Sequence, residues 1–312
     1  MAKKKPYRFP LYLFARTAAW IFSLLPRPAA LYAVKSLGSL SFDLVGRQRE
    51  RALTHLRMVF SKEKSEKEIR RIARQVFENM ALTSAELLQF PKMTAEKAAE
   101  IVDSAEAVKV YDQLLAHRKG LISMTAHIGN WELLAGIFGL KGYKGLVLAR
   151  KIYYEPYNNW IVGLRNAVKV PTLYRDDSSR EILKRLAAGE IVGLLPDQDI
   201  DSLKGVFVPF FGKLAYTPVA PVRISISTGA PMLPNFLIRE NVTRYKLVVG
   251  QPIWADSYKH LDREEAVLKM TENWMAQFEK VIREYPGQWA WMHNRWKTQP
   301  KTQDLPLQGL NK

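Results

Sequence analysis

Residues 123–134, SMTAHIGNWELL, hold the side chains best suited to chemistry. An apolar run ends at His127, and Glu132 opens a helical pattern after Gly129 and Asn130. On one continuous helix, a separation of five residues turns side chains through about 500° and leaves them about 140° apart. We therefore expect His127 at the end of a strand and Glu132 in the first turn of the next helix, where a helix N-terminus favours an acid. A neutral imidazole held by a carboxylate is a general base for a hydroxyl.

This spacing does not establish catalysis by itself, because a histidine followed five residues later by an acid also occurs by chance. The composition excludes several kinds of reactive site. The chain has no cysteine, which excludes thiol nucleophiles, disulfides and thiolate metal sites. No two of its five histidines stand four residues apart, as a zinc-binding helix would need. We predict neither a metal nor a cofactor.

The positive net charge of the chain indicates that it binds an acidic partner. The net charge is +17, and residues 1–60 carry eleven lysines and arginines against only Asp43 and Glu50. Nucleic acid, anionic phospholipid and an acidic carrier protein are the candidate partners. The aromatic residues cluster with aliphatic runs instead of alternating with basic residues, which argues against nucleic acid.

The N-terminus predicts membrane association. After the basic leader MAKKKPYR, residues 9–25 are apolar except for Arg16, Thr17 and Ser23. Seventeen residues are the lower limit for a span, and a central arginine costs about 2.5–3.5 kcal/mol on insertion scales. We expect a marginal span or an interfacial helix, with a buried core helix as the alternative. The predicted organisation is residues 1–28 as leader and anchor, 29–297 as the main domain and 298–312 as an irregular tail.

The middle of the chain predicts an α/β fold with a mostly parallel sheet flanked by helices. Short apolar strands are expected near residues 101, 121–125, 145–149, 168–173 and 191–195, and helices at 106–116, 130–139, 156–166 and 178–188. Ligands bind at the carboxyl ends of such strands. The polar residues that follow them should therefore line one rim: His127, Arg150, Arg175, Asp176, Asp177, Asp197, Gln198 and Asp199.

Three further segments complete the prediction. Residues 205–217 are interpreted as an apolar loop, with Thr217 and Pro218 starting a helix. Residues 230–239 and 244–250 alternate in polarity and predict a hairpin. Asp262 is expected to cap a last long helix that runs to Tyr285.

Six stretches in one order resemble the late acyltransferases of lipid A biosynthesis, of the lauroyl and myristoyl transferase type. They are AHIGNWELL (126–134), LAR (148–150), LPDQD (195–199), VPFFGKLAYTP (208–218), TGAPMLP (228–234) and PGQWAWMHNRWK (286–297). The resemblance implies a glycerol-phosphate-acyltransferase-like fold and a membrane-bound enzyme on the cytoplasmic face of the inner membrane. It also implies transfer of a fatty acyl chain from acyl carrier protein to a hydroxyl of a glucosamine-based glycolipid.

The resemblance makes His127 the expected general base and Glu132 the group that orients its imidazole, with backbone amides at Gly129 and Asn130 holding the oxyanion. An alternative has Asp197 orienting His127 while Glu132 pairs with Arg165. The predicted substrate-binding residues are Asn130, Arg150, Arg165, Asp197 and Gln198.

Structural roles remain open for several of these residues. Arg150 and Arg165 are also explained as surface charge, and Asp197 and Gln198 as capping groups of a loop. Three phenylalanines are candidates for an acyl groove or for core packing, namely Phe207, Phe210 and Phe211. The segment at 286–297 is interpreted as an interfacial belt or packing motif, with a minor possibility that His293 contributes to chemistry.

Two rival functions remain. One keeps the chemistry but changes the substrates: the acceptor is another glycolipid, an aryl polyene or an aminolipid, and acyl-coenzyme A is an alternative donor. The other is a basic membrane-surface binding protein without catalysis.

Overall fold

The computed structural model describes residues 7–174 and 179–300. Most of the predicted basic leader, the rim residues Arg175, Asp176 and Asp177, and most of the tail lie outside these residues. The helices of the described part are α1 Arg8–Leu24, α2 Arg27–Leu44, α3 Gly46–Phe60, α4 Glu66–Leu88, α5 Ala95–Ile101, α6 Ala105–Leu115, α7 Trp131–Leu140, α8 Glu155–Ala167, α9 Ser179–Ala187, α10 Ala220–Thr228 and α11 Arg263–Glu284. The strands are β1 Val102–Asp103, β2 Leu121–Met124, β3 Gly145–Ala149, β4 Thr172–Tyr174, β5 Ile191–Leu194, β6 Gly205–Phe210, β7 Lys213–Pro218, β8 Met232–Arg239 and β9 Tyr245–Val249.

The predicted α/β fold with a mostly parallel sheet is confirmed. The sheet has the strand order β1-β9-β8-β2-β5-β3-β4. Every neighbouring pair is parallel except β8 with β9, which form the predicted hairpin. Every residue of β2 is buried, as expected for a central strand covered on both faces.

The strand order, more than the sequence distance, decides which side chains meet at the rim. The chain runs from β2 through β3 and β4 and then returns, so that β5 lies between β2 and β3. In the pairing of β2 with β5, Met124 stands opposite Leu194. His127 and Asp197 each lie three residues beyond these paired positions, so the two side chains leave the sheet side by side.

The turn after β2 is fixed by backbone contacts. Gly129 has φ +58, the left-handed region that favours glycine, and a Cβ at this position would collide with the carbonyl oxygen of Leu237. Asn130 is the N-cap of α7, where its side chain accepts a hydrogen bond from the Leu133 amide at 2.9 Å. The helix therefore begins at Trp131, seven residues after the strand ends at Met124.

Residues 205–218 differ from the sequence prediction. They form the antiparallel hairpin β6–β7, where a loop was expected, and the chain reverses at Phe211 and Gly212, both with positive φ. Thr217 and Pro218 end β7, and the helix begins at Ala220 with Pro221 in its first turn. Phe210 and Phe211 are buried against tryptophan rings, which supports the packing interpretation.

The N-terminal apolar stretch forms helix α1, most of which is exposed. A narrow stripe is partly covered, made by Arg8, Tyr12, Ala15, Ala19 and Phe22. The large apolar side chains at Leu11 and Phe14 are 61% and 71% exposed. Among the helices of residues 7–174 and 179–300, none combines the length and apolar character that crossing a membrane requires.

Gly129→Ala should destabilise the protein much more than Gly189→Ala. Both glycines have positive φ, but nothing lies within 4 Å of the Cβ position at Gly189. The control should therefore cost about 1–2 kcal/mol for backbone strain alone, while Gly129→Ala adds about 1–3 kcal/mol from the clash. Urea unfolding measures both free energies, and equal losses would contradict the close approach of the turn to β8.

Candidate active site

The imidazole of His127 is held by Asp197. The Nδ1 atom of His127 lies 2.8 Å from Oδ1 of Asp197, and the backbone N–H of His127 donates to Oδ2 at 2.9 Å. The indole N–H of Trp289 also donates to Oδ2, at 2.9 Å. The side chain of Asp197 is 2% exposed and that of His127 is 21% exposed, so the carboxylate is buried behind a ring that reaches the surface.

These contacts shift both pKa values. Burial opposes a charged imidazole, but the charge and hydrogen bond of Asp197, with a further contribution from the charge of Glu132, outweigh it and raise the pKa of His127 above 6.5. Burial alone would also raise the pKa of Asp197. The charge of His127 and the three hydrogen bonds instead hold this pKa far below its usual value. Asp197 is therefore ionised and accepts from Nδ1–H of His127, and the neutral form of the ring, which exists above the raised pKa, has its lone pair on Nε2.

Glu132 does not make the hydrogen bond expected of it. Its carboxylate accepts two hydrogen bonds from the guanidinium of Arg165, at 2.9 and 2.7 Å. Both side chains are mostly buried, and this bidentate pair joins the first turn of α7 to the last turn of α8. The arrangement is the alternative considered above, in which Asp197 orients the imidazole. The reason is topological, since β5 and not α7 brings a carboxylate in line with Nδ1.

The open face of His127 lines a cavity of about 710 Å³. Of the predicted site residues, Glu132, Arg150, Arg165 and Gln198 also line it. Much of its remaining wall is apolar, with contributions from Val147, Leu148, Ile152, Ile161, Val162, Leu194, Leu195, Ile200 and Leu203. The cavity thus combines a largely apolar wall with arginine side chains and one imidazole.

Asn130 is fully buried and faces away from this cavity. Its amide donates to Glu86 at 2.9 Å and to the hydroxyl of Tyr245 at 3.1 Å. Glu86 is in turn paired with Arg27 and Arg239. The side-chain nitrogen and oxygen of Asn130 are therefore both hydrogen-bonded within the protein. The side chain caps helix α7 and does not make the predicted contact with substrate.

The predicted oxyanion site at the turn is also closed. The N–H of Gly129 donates to the carbonyl of Gln288 at 3.2 Å, and the N–H of Asn130 donates to the carbonyl of Leu237 at 2.9 Å. Neither amide is available to a substrate oxygen. The carbonyl of Gly129 is likewise occupied, by donors from Asn79 and Thr83.

Comparison with known proteins identifies the family of this chain. The sequence profile of the bacterial lipid A biosynthesis acyltransferases matches residues 1–298. The chain belongs to this family. The lipid A biosynthesis palmitoleoyltransferase of Escherichia coli (strain K12) is 24% identical over 301 residues, which cover 94% of this chain and 93% of the relative. The lipid A biosynthesis lauroyltransferase of the same strain is 26% identical over 288 residues, 90% of each chain.

A third relative is the phosphatidylinositol mannoside acyltransferase of Mycobacterium tuberculosis (strain CDC 1551 / Oshkosh), 25% identical over 218 residues, which cover 68% of this chain and 66% of the relative. The family membership makes this protein an acyltransferase of lipid A or of a related glycolipid. The alternative of a binding protein without catalysis is therefore wrong.

Two residues of the acyltransferase's site were underestimated from the sequence. Trp289 and His293 belong to the segment that was interpreted as a belt or packing motif. Trp289 is 1% exposed and donates to Asp197, while the ring of His293 lies 5.2 Å from the ring of His127. A backbone bridge between Ile128 and Trp289 brings the segment to the turn. The density of tryptophans at 289–296 marked it as buried, but no local pattern indicated its partner.

We expect Asp197→Asn to lower the pKa of His127 and Glu132→Gln to lower it less. Asp197 raises this pKa through both charge and a hydrogen bond, whereas Glu132 contributes charge alone. Titration of the His127 ring by NMR in the three proteins measures the effect. A larger fall in Glu132→Gln than in Asp197→Asn would contradict the assignment of Asp197 as the orienting carboxylate.

Proposed function

We propose that the protein transfers a fatty acyl chain from acyl carrier protein to a hydroxyl of a lipid A precursor, with His127 as the general base and Asp197 as the group that orients it. The observation that carries this proposal is the His127–Asp197 pair, whose imidazole lines a largely apolar cavity. With the proton held on Nδ1, the Nε2 lone pair of His127 is the acceptor for the proton of the attacking hydroxyl.

The reaction would be a direct transfer. The hydroxyl oxygen attacks the thioester carbonyl carbon as its proton passes to Nε2 of His127. The tetrahedral intermediate then re-forms the carbonyl, the C–S bond breaks, and the imidazolium returns its proton to the departing sulfur. Asp197 stabilises the imidazolium between these steps. The absence of cysteine from the chain is consistent with a route that needs no thiol acyl-enzyme.

The cavity supports the substrate assignment. Its aliphatic wall suits an acyl chain, and the exposed cation of Arg150 suits a phosphate of the acceptor. Arg165 also lines the cavity but is already paired with Glu132. Gln198 lines the cavity beside His127, which supports its predicted contact with substrate.

We further propose that residues 1–28 anchor the enzyme at the cytoplasmic face of the inner membrane, by binding phospholipid. The exposed apolar side chains of α1 and the basic N-terminal sequence suit an anionic interface. Tyr12 of α1 packs edge-on against Trp160 of α8, with ring centroids 6.1 Å apart. Since α8 also lines the cavity through Ile161 and Val162, this contact would hold the cavity mouth close to the lipid surface.

A second acceptor class is favoured by one comparison. The relative named phosphatidylinositol mannoside acyltransferase supports another glycolipid as the acceptor of this chain. The general base and cavity would be the same. Offering a lipid A precursor and a mannosylated phosphoinositide to the purified enzyme separates the two assignments.

His127→Ala should lower kcat for acyl transfer by about 10²–10⁴-fold, the typical contribution of a general base. His260→Ala is the matched control, because His260 is exposed and does not line the cavity. The assay follows transfer to the lipid A precursor from acyl carrier protein and, separately, from acyl-coenzyme A. Full activity of His127→Ala would refute the proposed base. Equal kcat/KM for both donors would refute the preference for the carrier protein.

Replacing both Leu11 and Phe14 by serine should weaken binding to vesicles containing phosphatidylglycerol by at least about tenfold, since a large apolar side chain contributes about 1.5–3 kcal/mol when buried. Leu183→Ser is the control, because this leucine is 44% exposed on α9. Vesicle flotation measures the bound fraction. Unchanged binding of the double variant would exclude this face of α1 as the anchor.

A further inference from the structure

The arginine in the middle of α1 packs against α8. Cζ of Arg16 lies 5.3 Å from the centroid of the Trp160 ring and 5.9 Å from that of the Tyr12 ring, and its Nη1 donates to the hydroxyl of Tyr12 at 3.2 Å. In the sequence, Arg16 is the one charged residue of the apolar stretch at 9–25. The structure places this charge at the contact between two helices, a position that the anchoring of α1 does not by itself explain.

Arg8 is held in a similar way just over two turns earlier. Its Cζ lies 4.7 Å from the centroid of the Tyr153 ring, in the loop that leads into α8. Eight residues separate the two arginines, which is about 12 Å along the helix axis. Between them, Tyr12 contacts the rings of Tyr154 and Trp160. The two arginines and four rings form what is called here the α1–α8 seam: Arg8, Tyr12, Arg16, Tyr153, Tyr154 and Trp160.

Both guanidiniums have donors free for an anion. Within residues 7–174 and 179–300, neither pairs with a carboxylate, and the hydrogen bond from Arg16 to Tyr12 is the only one that either makes. A guanidinium has five N–H donors and suits the oxygens of a phosphate, which it can bind in pairs. The rings beneath Arg8 and Arg16 also restrict the two side chains, so that less freedom is lost when an anion binds.

The seam adjoins the cavity that His127 lines. Trp160 is followed in α8 by Ile161, and Tyr153 is preceded by Ile152, and both isoleucines line the cavity. Arg150, the exposed arginine of the cavity, comes three residues before Tyr153. The seam therefore joins the cavity wall to the helix whose other faces expose large apolar side chains.

The proposed reaction brings the acceptor past this seam. The acyl chains of a glycolipid stay in the lipid layer, which α1 is proposed to enter, while its hydroxyl has to reach Nε2 of His127 in the cavity. The headgroup must extend from one to the other alongside α8. A phosphate monoester on that headgroup carries a charge of about −1.5 to −2 near pH 7, which free arginines favour.

We propose that Arg8 and Arg16 form a binding subsite for the phosphorylated headgroup of the acceptor glycolipid, in addition to Arg150. This inference rests on the proposed function, since it assumes a lipid acceptor that reaches His127. The subsite holds the headgroup beside the cavity and takes no part in proton transfer. Its loss should therefore raise KM for the acceptor and leave kcat nearly unchanged.

Arg16→Leu separates recognition of the headgroup from anchoring. The variant loses the guanidinium but makes α1 more apolar, so its flotation on phosphatidylglycerol vesicles should equal or exceed that of the wild type. KM for a phosphorylated lipid A precursor should rise about tenfold, the loss expected for one charge-assisted hydrogen bond. The kcat and the KM for the acyl donor should change less than about threefold. Arg71→Leu is the matched control, because Arg71 is exposed on α4 and does not line the cavity.

An unchanged KM for the precursor in Arg16→Leu would overturn the inference. So would a loss of phosphatidylglycerol binding that parallels the rise in KM, because Arg16 would then be a general membrane contact. A rise in KM for the acyl donor alone would assign the arginine to the acidic carrier protein and would overturn it as well.

Removal of the phosphates from the precursor gives the chemical control. The rise in KM caused by Arg16→Leu should disappear with the dephosphorylated precursor, and Arg8→Leu should behave in the same way. Arg16→Lys should recover part of the loss, since it keeps the charge but has fewer donors. An equal rise in KM for both forms of the precursor would contradict recognition of a phosphate.

Binding tests the subsite without turnover. Phosphatidylcholine vesicles that contain the precursor should bind the wild-type protein more tightly than vesicles that contain its dephosphorylated form, and Arg16→Leu should reduce this preference about tenfold. If the wild type shows the preference but transfers no acyl chain to any lipid, the proposed function fails and the headgroup subsite stands. If it acylates both forms with the same KM, the function stands and the subsite fails.

Discussion

The site depends on the hydrogen bond between the buried carboxylate of Asp197 and Nδ1 of His127. A carboxylate with 2% exposure is stable only when donors replace water, and here the His127 ring, its backbone N–H and the Trp289 indole do so. Two of these donors belong to His127, three residues beyond the end of β2, so the bond also favours the observed register of β2 against β5. A slip of one residue would bury an unpaired charge, and the same contact therefore stabilises both the sheet and the orientation of the imidazole.

Each of three buried carboxylates near the turn after β2 is paired with its own cations or hydrogen-bond donors. Asp197 is committed to His127, Glu132 to Arg165, and Glu86 to Arg27 and Arg239. The Glu132 pair joins α7 to α8, two helices that line the cavity, and therefore holds two parts of the cavity wall together. Loss of activity on changing Glu132 would therefore follow from geometry as readily as from chemistry, and the spacing of histidine and glutamate in the motif does not identify the orienting acid.

Local patterns were sufficient for most of the elements and insufficient for their partners. The βα alternation and the cap at Asp262 were predictable, because each depends on residues close together in the sequence. The choice between Glu132 and Asp197 was not, because it depends on β5 entering the sheet beside β2. The hairpin at 205–218 was missed because its apolar residues on both strands obscured the alternation, and the positive φ of Phe211 and Gly212 is not visible in composition.

The C-terminal segment at 286–297 binds the backbone of the turn after β2 and also contacts the side chains beside that turn. Its backbone completes the turn after β2: the carbonyl of Gln288 accepts from Gly129, and the N–H of Ala290 donates to the carbonyl of His127. These bonds make the turn rigid but use the groups that a helix N-terminus would otherwise offer to an oxyanion. The same segment also reaches the side chains of the site, because Trp289 is buried beside Asp197 and His293 reaches the amide of Gln198. One stretch of chain therefore occupies the backbone donors of the turn and contacts the side chains beside His127.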